Sequence, residues 1–432
     1  MLRDDLLEEL LKIPVIDVHS HLPRDRMASP KLDTILRYHM INYPMRSAGM
    51  PEEILWPEYP DAVSEDELYA NWIKHWPGME NTGFAWMLKR ILKDLYEFDE
   101  PITEKSLPKL RDAFAAKVGR PDWARSVMEN AGIVRVLSSH CDVPPLEKGD
   151  WDGNIRFTIE DTPSSGMREY RTWRDRLRSM SKGFGKTIDS PRLLQEMMEN
   201  YYAQFDWSDK NTLVAWISAT ADFTPISNDT LQAVFDKCLA GHQLNDTEIG
   251  YLEAAFLRAI CHSISGKAEI FQIVYGIQYL THNYGRSVQR ARPQFASTMG
   301  YLLGEFPQIH FNIMNGFELD EPVHCSLCVA YNNVSLSNFW WQSFYASVMH
   351  AGWSRRLDVV PVTRLIGFFS DGYCIDWIYA RLCMVRKVLA NVLAQKIESG
   401  FMNREQALLV ARNIFYRTPR RIFLPDESCE ID

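Results

Sequence analysis

The chain has 432 residues, of which 46% are hydrophobic and 24% charged, with a formal net charge of -9 and a pI of about 5.7. That composition supports a globular protein with a sizeable core. It argues against nucleic acid as the main partner, because phosphate binding calls for a basic patch.

Taken from its start, the chain opens on an acidic amphipathic stretch, Met1-Leu-Arg-Asp-Asp-Leu-Leu-Glu-Glu9, unlike a signal peptide. No run of roughly 18 apolar residues follows anywhere, so no membrane span is expected. A cytoplasmic location is the expectation. Short apolar runs recur at residues 13–19, 133–139, 155–160, 212–219, 269–275, 308–314, 333–339 and 364–371. Helical patterns fall between most of them, at 191–202, 229–239, 246–263, 287–303 and 344–351. Alternating strand and helix implies parallel strands with right-handed crossovers. Eight such strands predict an α/β fold of the (β/α)8 TIM-barrel type. A doubly wound open sheet is the alternative, but no Gly-rich fingerprint follows the first strand.

Two gaps exceed ordinary loops. Residues 24–130, with helical patterns at 66–75, 84–96 and 107–118, read as a helical insertion subdomain after strand 1. Residues 162–211 form a second insertion. Residues 375–395 and 404–416 read as closing helices. Without repeats or a low-complexity linker, residues 1–432 are expected to form a single metal-dependent barrel domain with the insertion inside it.

The 8 cysteines are scattered, and Cys325-Ser-Leu-Cys328 lacks a second pair, so buried reduced thiols are expected rather than zinc or redox chemistry. The basic cluster from Arg168 to Arg178 is broken by Glu169 and Asp175 and reads as a solvated helix face.

Barrel active sites lie at the carboxyl ends of the strands. The first strand offers His19 and His21, which point to one face because they are two apart. The last offers Ser370 and Asp371. Between them come Thr220 and Asp222, Gln278, Asn312 and Asn315, then Ser337, Asn338, Trp340 and Trp341. Two imidazoles and a carboxylate can hold one divalent cation with positions left for substrate. The expected metal is Zn2+, with Fe2+ or Mn2+ as alternatives. Such a cation polarises a carbonyl or activates a water, and Asp371 could serve as general base. His39 could reach over the mouth. His140 ends the second strand; His75, His242, His262, His310 and His350 read as structural. Trp340 and Trp341 form either a wall for a sugar ring or plain packing.

These segments, in order, resemble the uronate isomerase family, a branch of the amidohydrolase superfamily built on a (β/α)8 barrel with a helical insertion. Asp17-Val-His-Ser-His-Leu22 is similar to the family's metal-binding HxH. The segment Tyr38-His-Met-Ile-Asn-Tyr-Pro-Met-Arg-Ser-Ala-Gly49 resembles its DHYKWRAMRxxG. Ala240-Gly-His-Gln-Leu-Asn-Asp-Thr-Glu248 looks like the stretch before its fifth strand. Phe271-Gln-Ile-Val-Tyr-Gly-Ile-Gln278 resembles MQLHxGAQ. Val334-Ser-Leu-Ser-Asn-Phe-Trp-Trp341 resembles the segment ending in Gly-Trp-Trp, and Phe369-Ser-Asp-Gly-Tyr373 sits where the family has TDSR.

The resemblance implies aldose–ketose isomerisation of a hexuronate or related sugar acid. His19, His21 and Asp371 would bind the cation; Asp371, His39 and Asp222 would be catalytic; Arg46, Trp340, Trp341 and Tyr373 would bind substrate. A homo-oligomer with a small sugar acid as its partner is expected, with no nucleic acid and no membrane. Four positions depart from the family pattern. Met40 replaces a Tyr thought to relay a proton, and Met has none to give. Phe223 and Val274 replace histidines, and Tyr373 replaces the Arg after the strand-eight Asp. A third-strand Arg falls on Ile159 or Glu160. Loss of an Arg facing a carboxylate weakens binding of an anionic sugar, unless Arg46, Arg286 or Arg292 compensates. A metal-dependent hydrolase or lyase of the superfamily, or a non-catalytic sugar-binding barrel, are the alternatives.

Overall fold

The computed structural model describes residues 2–23, 27–56, 62–139, 154–160, 172–208, 210–279, 287–340 and 343–427. Their strands are β1 (Val15–Ser20), β2 (Ile133–Ser138), β3 (Ile155–Phe157), β4 (Thr212–Trp216), β5 (Ile270–Tyr275), β6 (Ile277–Tyr279), β7 (Ser287–Gln289), β8 (His310–Asn315) and β9 (Val334–Phe339). The fold is mixed α/β with parallel sheets. Its residues divide into two compact units, residues 1–156 with 368–408, and residues 157–367 with 409–432.

In the first unit β1 and β2 pair in parallel. Every residue of β1 is buried, which is why its sequence runs apolar without alternation. Among the described residues seven α-helices lie between β1 and β2: Leu32–Leu36, His39–Ser47, Glu52–Leu55, Glu65–His75, Gly83–Tyr96, Leu107–Val118 and Trp123–Asn130. The long helix Ile375–Glu398 packs on Leu2–Leu11 and on Gly83–Tyr96. Its buried Arg386 donates to the Ala131 carbonyl at 2.8 Å and the Ile13 carbonyl at 3.1 Å, fastening the strand entrances.

The second unit carries the parallel order β4-β5-β8-β9. Gly276, between β5 and β6, has φ +102°, and a Cβ there would lie 2.5 Å from the Phe317 nitrogen, so only glycine fits this corner. Two expectations change here. Residues 287–303 are not one helix: Ser287–Gln289 is a strand, and the helix starts at Pro293, the first-turn position that proline tolerates. Residues 364–371 form no extended strand. Leu365 bridges Leu336, with the Ile366 amide donating to the Leu336 carbonyl, but the Gly367 amide turns away to the Ile414 carbonyl.

In the basic cluster Arg178 is exposed as expected, residues 168–171 lie outside the described residues, and Arg176 departs from the solvated face. Arg176 is 4% exposed, lies between the rings of Trp173 and Phe256, and pairs with Glu253 at 3.3 Å. Cys325 and Cys328 are buried on the helix Glu321–Ala330 with burial pushing their thiols up to about 11 and about 12, as expected of inert thiols. Cys141, His140, Arg286 and Cys429 lie outside the described residues. Among the described residues no helix is long and apolar enough to cross a membrane.

Candidate metal centre

Within the first unit, His19 ends in the body of β1 and His21 lies just past it. The chain returns at residues 368–373, where the Ser370 and Asp371 amides both donate to the His19 carbonyl, at 3.1 and 2.9 Å. His21 N in turn donates to the Gly372 carbonyl at 2.9 Å. These bonds hold Asp371 at φ +52°, a left-handed conformation rare for a residue with a side chain. The twist turns its carboxylate onto the imidazoles. Asp371 Oδ1 lies 3.4 Å from His19 Nε2 and 3.2 Å from His21 Nε2, and the rings are 5.0 Å apart.

His21 is fixed from behind. Ser139, just after β2, bonds its Oγ to His21 Nδ1 at 2.9 Å and donates to the Ser20 carbonyl at 3.1 Å. With the hydroxyl proton on that carbonyl, Ser139 accepts from Nδ1–H, a tautomer inferred from the bonding. The Nε2 lone pair then faces a carboxylate oxygen, an arrangement that a proton or a metal cation between them relieves. Ligands bound to one ion at 2.0–2.2 Å sit roughly 3.0–3.4 Å apart in octahedral or tetrahedral arrangements. The separations of 3.2 and 3.4 Å match that spacing. Two imidazoles and one carboxylate at that spacing are a ligand set that fits a divalent transition ion.

Burial would raise the Asp371 pKa, but hydrogen bonds from His19 and His21, and their positive charge when protonated, outweigh it and hold the carboxyl well below its usual range. Arg381, fully buried, places Nη1 4.0 Å from Asp371 Oδ2 and 3.6 Å from Met40 Sδ. Asp17, two residues before His19, accepts from the Ser370 amide at 2.8 Å and the His19 amide at 3.3 Å. Its burial pushes its carboxyl up to about 7.

The rim is aromatic. Tyr373, 49% exposed, stacks on His21 at 4.6 Å and 13°, and meets the His39 ring edge-on at 5.5 Å. His39 is neutral because burial lowers its pKa to about 4. Tyr38 stacks on Trp377 at 4.7 Å and donates to the Asp371 carbonyl at 3.5 Å. The first unit thus brings together His19, His21, His39, Asp371 and Tyr373. Arg46, also in this unit, is turned to Glu52 at 3.5 Å and to the rings of Tyr43 and Trp56. In the second unit, Asp222 accepts from the Thr224 amide at 3.0 Å, and Trp340 is buried with its ring 5.3 Å from Trp216. Trp341 lies outside the described residues. Ser139, Tyr38 and Arg381 were not singled out from the sequence. Their signal is spatial, since the Ser139–His21 bond spans 118 positions and the Tyr38–Asp371 bond 333.

No protein-family profile matches the chain. A curated uronate isomerase from Thermotoga sp. (strain RQ2) is 20% identical over 453 residues, covering 97% of this chain and 96% of that protein. Among solved structures, glucuronate isomerase from Caulobacter crescentus superposes with a TM-score of 0.81 at 15% identity, covering 99% of this chain and 95% of that one. Uronate isomerase from Thermotoga maritima superposes at 0.74 and 15% identity, covering 98% and 97%. Both structures share this fold, and the sequence likeness runs end to end. Over nearly its whole length the chain is similar to uronate isomerases, and it shares the fold of their solved structures.

Proposed function

We propose that the chain is a metal-dependent isomerase that interconverts the aldose and ketose forms of a hexuronate or related sugar acid. The convergence of His19, His21 and Asp371 on one point carries this reading. Those three would hold the divalent cation, Zn2+ first among the candidates, which when bound supplies a Lewis acid for the substrate oxygens. Asp371 would move the proton between C1 and C2. Its preference for the ionised form leaves it free to accept that proton. His39, neutral and edge-on to Tyr373, would polarise the carbonyl or assist ring opening. Tyr373 would cover the sugar and shield it from water, with Arg46, Asp222, Trp340 and Trp341 completing the substrate contacts. In the same reading the parallel strands close into a (β/α)8 barrel, and residues 1–432 act as a single domain with residues 24–130 as its helical insertion. The chain works in the cytoplasm as a homo-oligomer.

The test is direct. Metal-loaded protein should convert glucuronate or galacturonate to the ketose and exchange the C2 proton with solvent deuterium. No exchange with any uronate would remove the isomerase reading. Asp371→Asn should abolish conversion and release the metal while leaving the circular dichroism spectrum unchanged; near-wild-type rates would end its assigned role. One observation favours a second reading, a hydrolase of the superfamily. Met40 places a thioether against Arg381 where the family pattern has a phenol, which removes a proton relay. Turnover of a lactone, ester or amide panel, with uronates inert, would select it.

A further inference from the structure

The second unit holds a cavity of about 650 Å³ beside the end of β4, where Ser218 and Thr220 follow the strand. The first turn of the helix Trp173–Phe184 forms one wall and the turn at residues 241–244 another. Arg174 packs directly over Gly241. That glycine has φ +83°, and a Cβ there would lie 2.5 Å from Arg174 Nη1, so glycine both makes the turn and admits the guanidinium.

The neighbouring charged groups each have a partner. Arg176 pairs with Glu253 at 3.3 Å, and Asp175 accepts from Thr172 Oγ1 at 2.7 Å in the helix's first turn. Arg174 differs. Among the described residues no carboxylate lies within ion-pair distance of it, and its buried Nε has no hydrogen-bond partner. The buried Nε carries a desolvation cost that a ligand with an acceptor would relieve, while the rest of the half-buried guanidinium stays open to pairing. The other walls say what ligand. Ser218 and Thr220 hydroxyls, bonded to each other at 2.9 Å, offer donors and acceptors to hydroxyl groups. The Trp173 indole suits an apolar C–H face. One unmatched cation, with Glu253 and Asp175 close by, favours a monoanion over a doubly charged phosphate. The volume is that of a small-molecule site.

We propose that this cavity binds a small hydroxylated monocarboxylate, with Arg174 pairing its carboxylate and Ser218 and Thr220 its hydroxyls. The assignment stands on the cavity alone and needs no metal chemistry.

Calorimetric titration of the full-length, chelator-treated protein with gluconate tests it. Gluconate should bind saturably at one site, and glucitol, with the same hydroxyls and no charge, on the order of tenfold more weakly. Arg174→Gln should weaken gluconate binding by about tenfold or more, Arg174→Lys should recover part of it, and His19→Asn should bind as the parent does. Unchanged affinity in Arg174→Gln, loss of binding in His19→Asn, or equal affinity for inorganic phosphate would overturn the assignment. A measurement on the unmutated protein covers a misfolded variant: gluconate should slow phenylglyoxal modification of Arg174, read by peptide mass spectrometry. An unchanged modification rate would overturn it equally.

Discussion

His21 shows how one side chain is prepared for the ligand role proposed for it. Its Nε2 faces Asp371, its Nδ1 is held by Ser139 at 2.9 Å, and its face is covered by Tyr373 at 4.6 Å. The Ser139 bond sets both the tautomer and the ring angle, the role that partners behind a metal-binding histidine play generally. Ser139→Ala should therefore lower metal affinity by about 10–100-fold with little change in melting temperature, measured by competition with a chromogenic chelator. Affinity equal to the parent's would mean that the hydroxyl does not orient the ring. His19 and His21 were legible in the sequence because a spacing of two on a strand fixes a shared face. Asp371 was legible as a carboxylate ending an apolar run. Its left-handed backbone was not, because the bonds that force it come from His19, more than three hundred residues earlier in the chain. Arg381 and Tyr38 were hidden for the same reason.

At the scale of elements, periodicity located most strands and helices, and it failed where a single residue outweighed the pattern. Pro293 moved a helix start, and after one bridge to β9 the Gly367 amide turned to the Ile414 carbonyl instead of continuing the ladder. Arg176 looked like part of a charged surface, yet two aromatic rings and Glu253 draw it inside. A second buried pair joins three elements. Arg356, on the helix Ala346–Val359, donates Nη2 to Glu321 Oε2 at 3.0 Å and Nη1 to the Ser337 carbonyl of β9 at 2.7 Å, with both side chains almost fully buried. Breaking such a pair strands a charge in the interior. Glu321→Gln should destabilise the protein by roughly 3–5 kcal/mol, read from the urea midpoint at constant slope. A loss below about 1 kcal/mol would show the pair to be solvated like a surface ion pair.

For the whole molecule, acid stability depends on which buried groups refuse a proton. His324 is fully buried on the helix Glu321–Ala330, between the Tyr275 hydroxyl at Nε2 and Asn315 Nδ2 at 3.4 Å from Nδ1. Burial, outweighing the nearby Glu321 carboxylate, lowers its pKa to about 4. An unfolded histidine titrates near 6.5, so between those values the unfolded chain holds the proton and the folded chain does not. The sign follows: stability from neutral His324 is complete above about pH 6.5 and is lost as the pH falls toward about 4, at roughly 1.4 kcal/mol per pH unit. Asp320, raised to about 6 by burial, works the other way over much of this range, so the total curve alone does not isolate the histidine. The difference between parent and His324→Gln does. The variant should lose about 3 kcal/mol less between pH 6.5 and 4 than the parent, measured by urea unfolding at half-unit steps. Parallel curves would mean that His324 takes up its proton in the folded state, and that the Tyr275 and Asn315 contacts tolerate an imidazolium where the interior is driest.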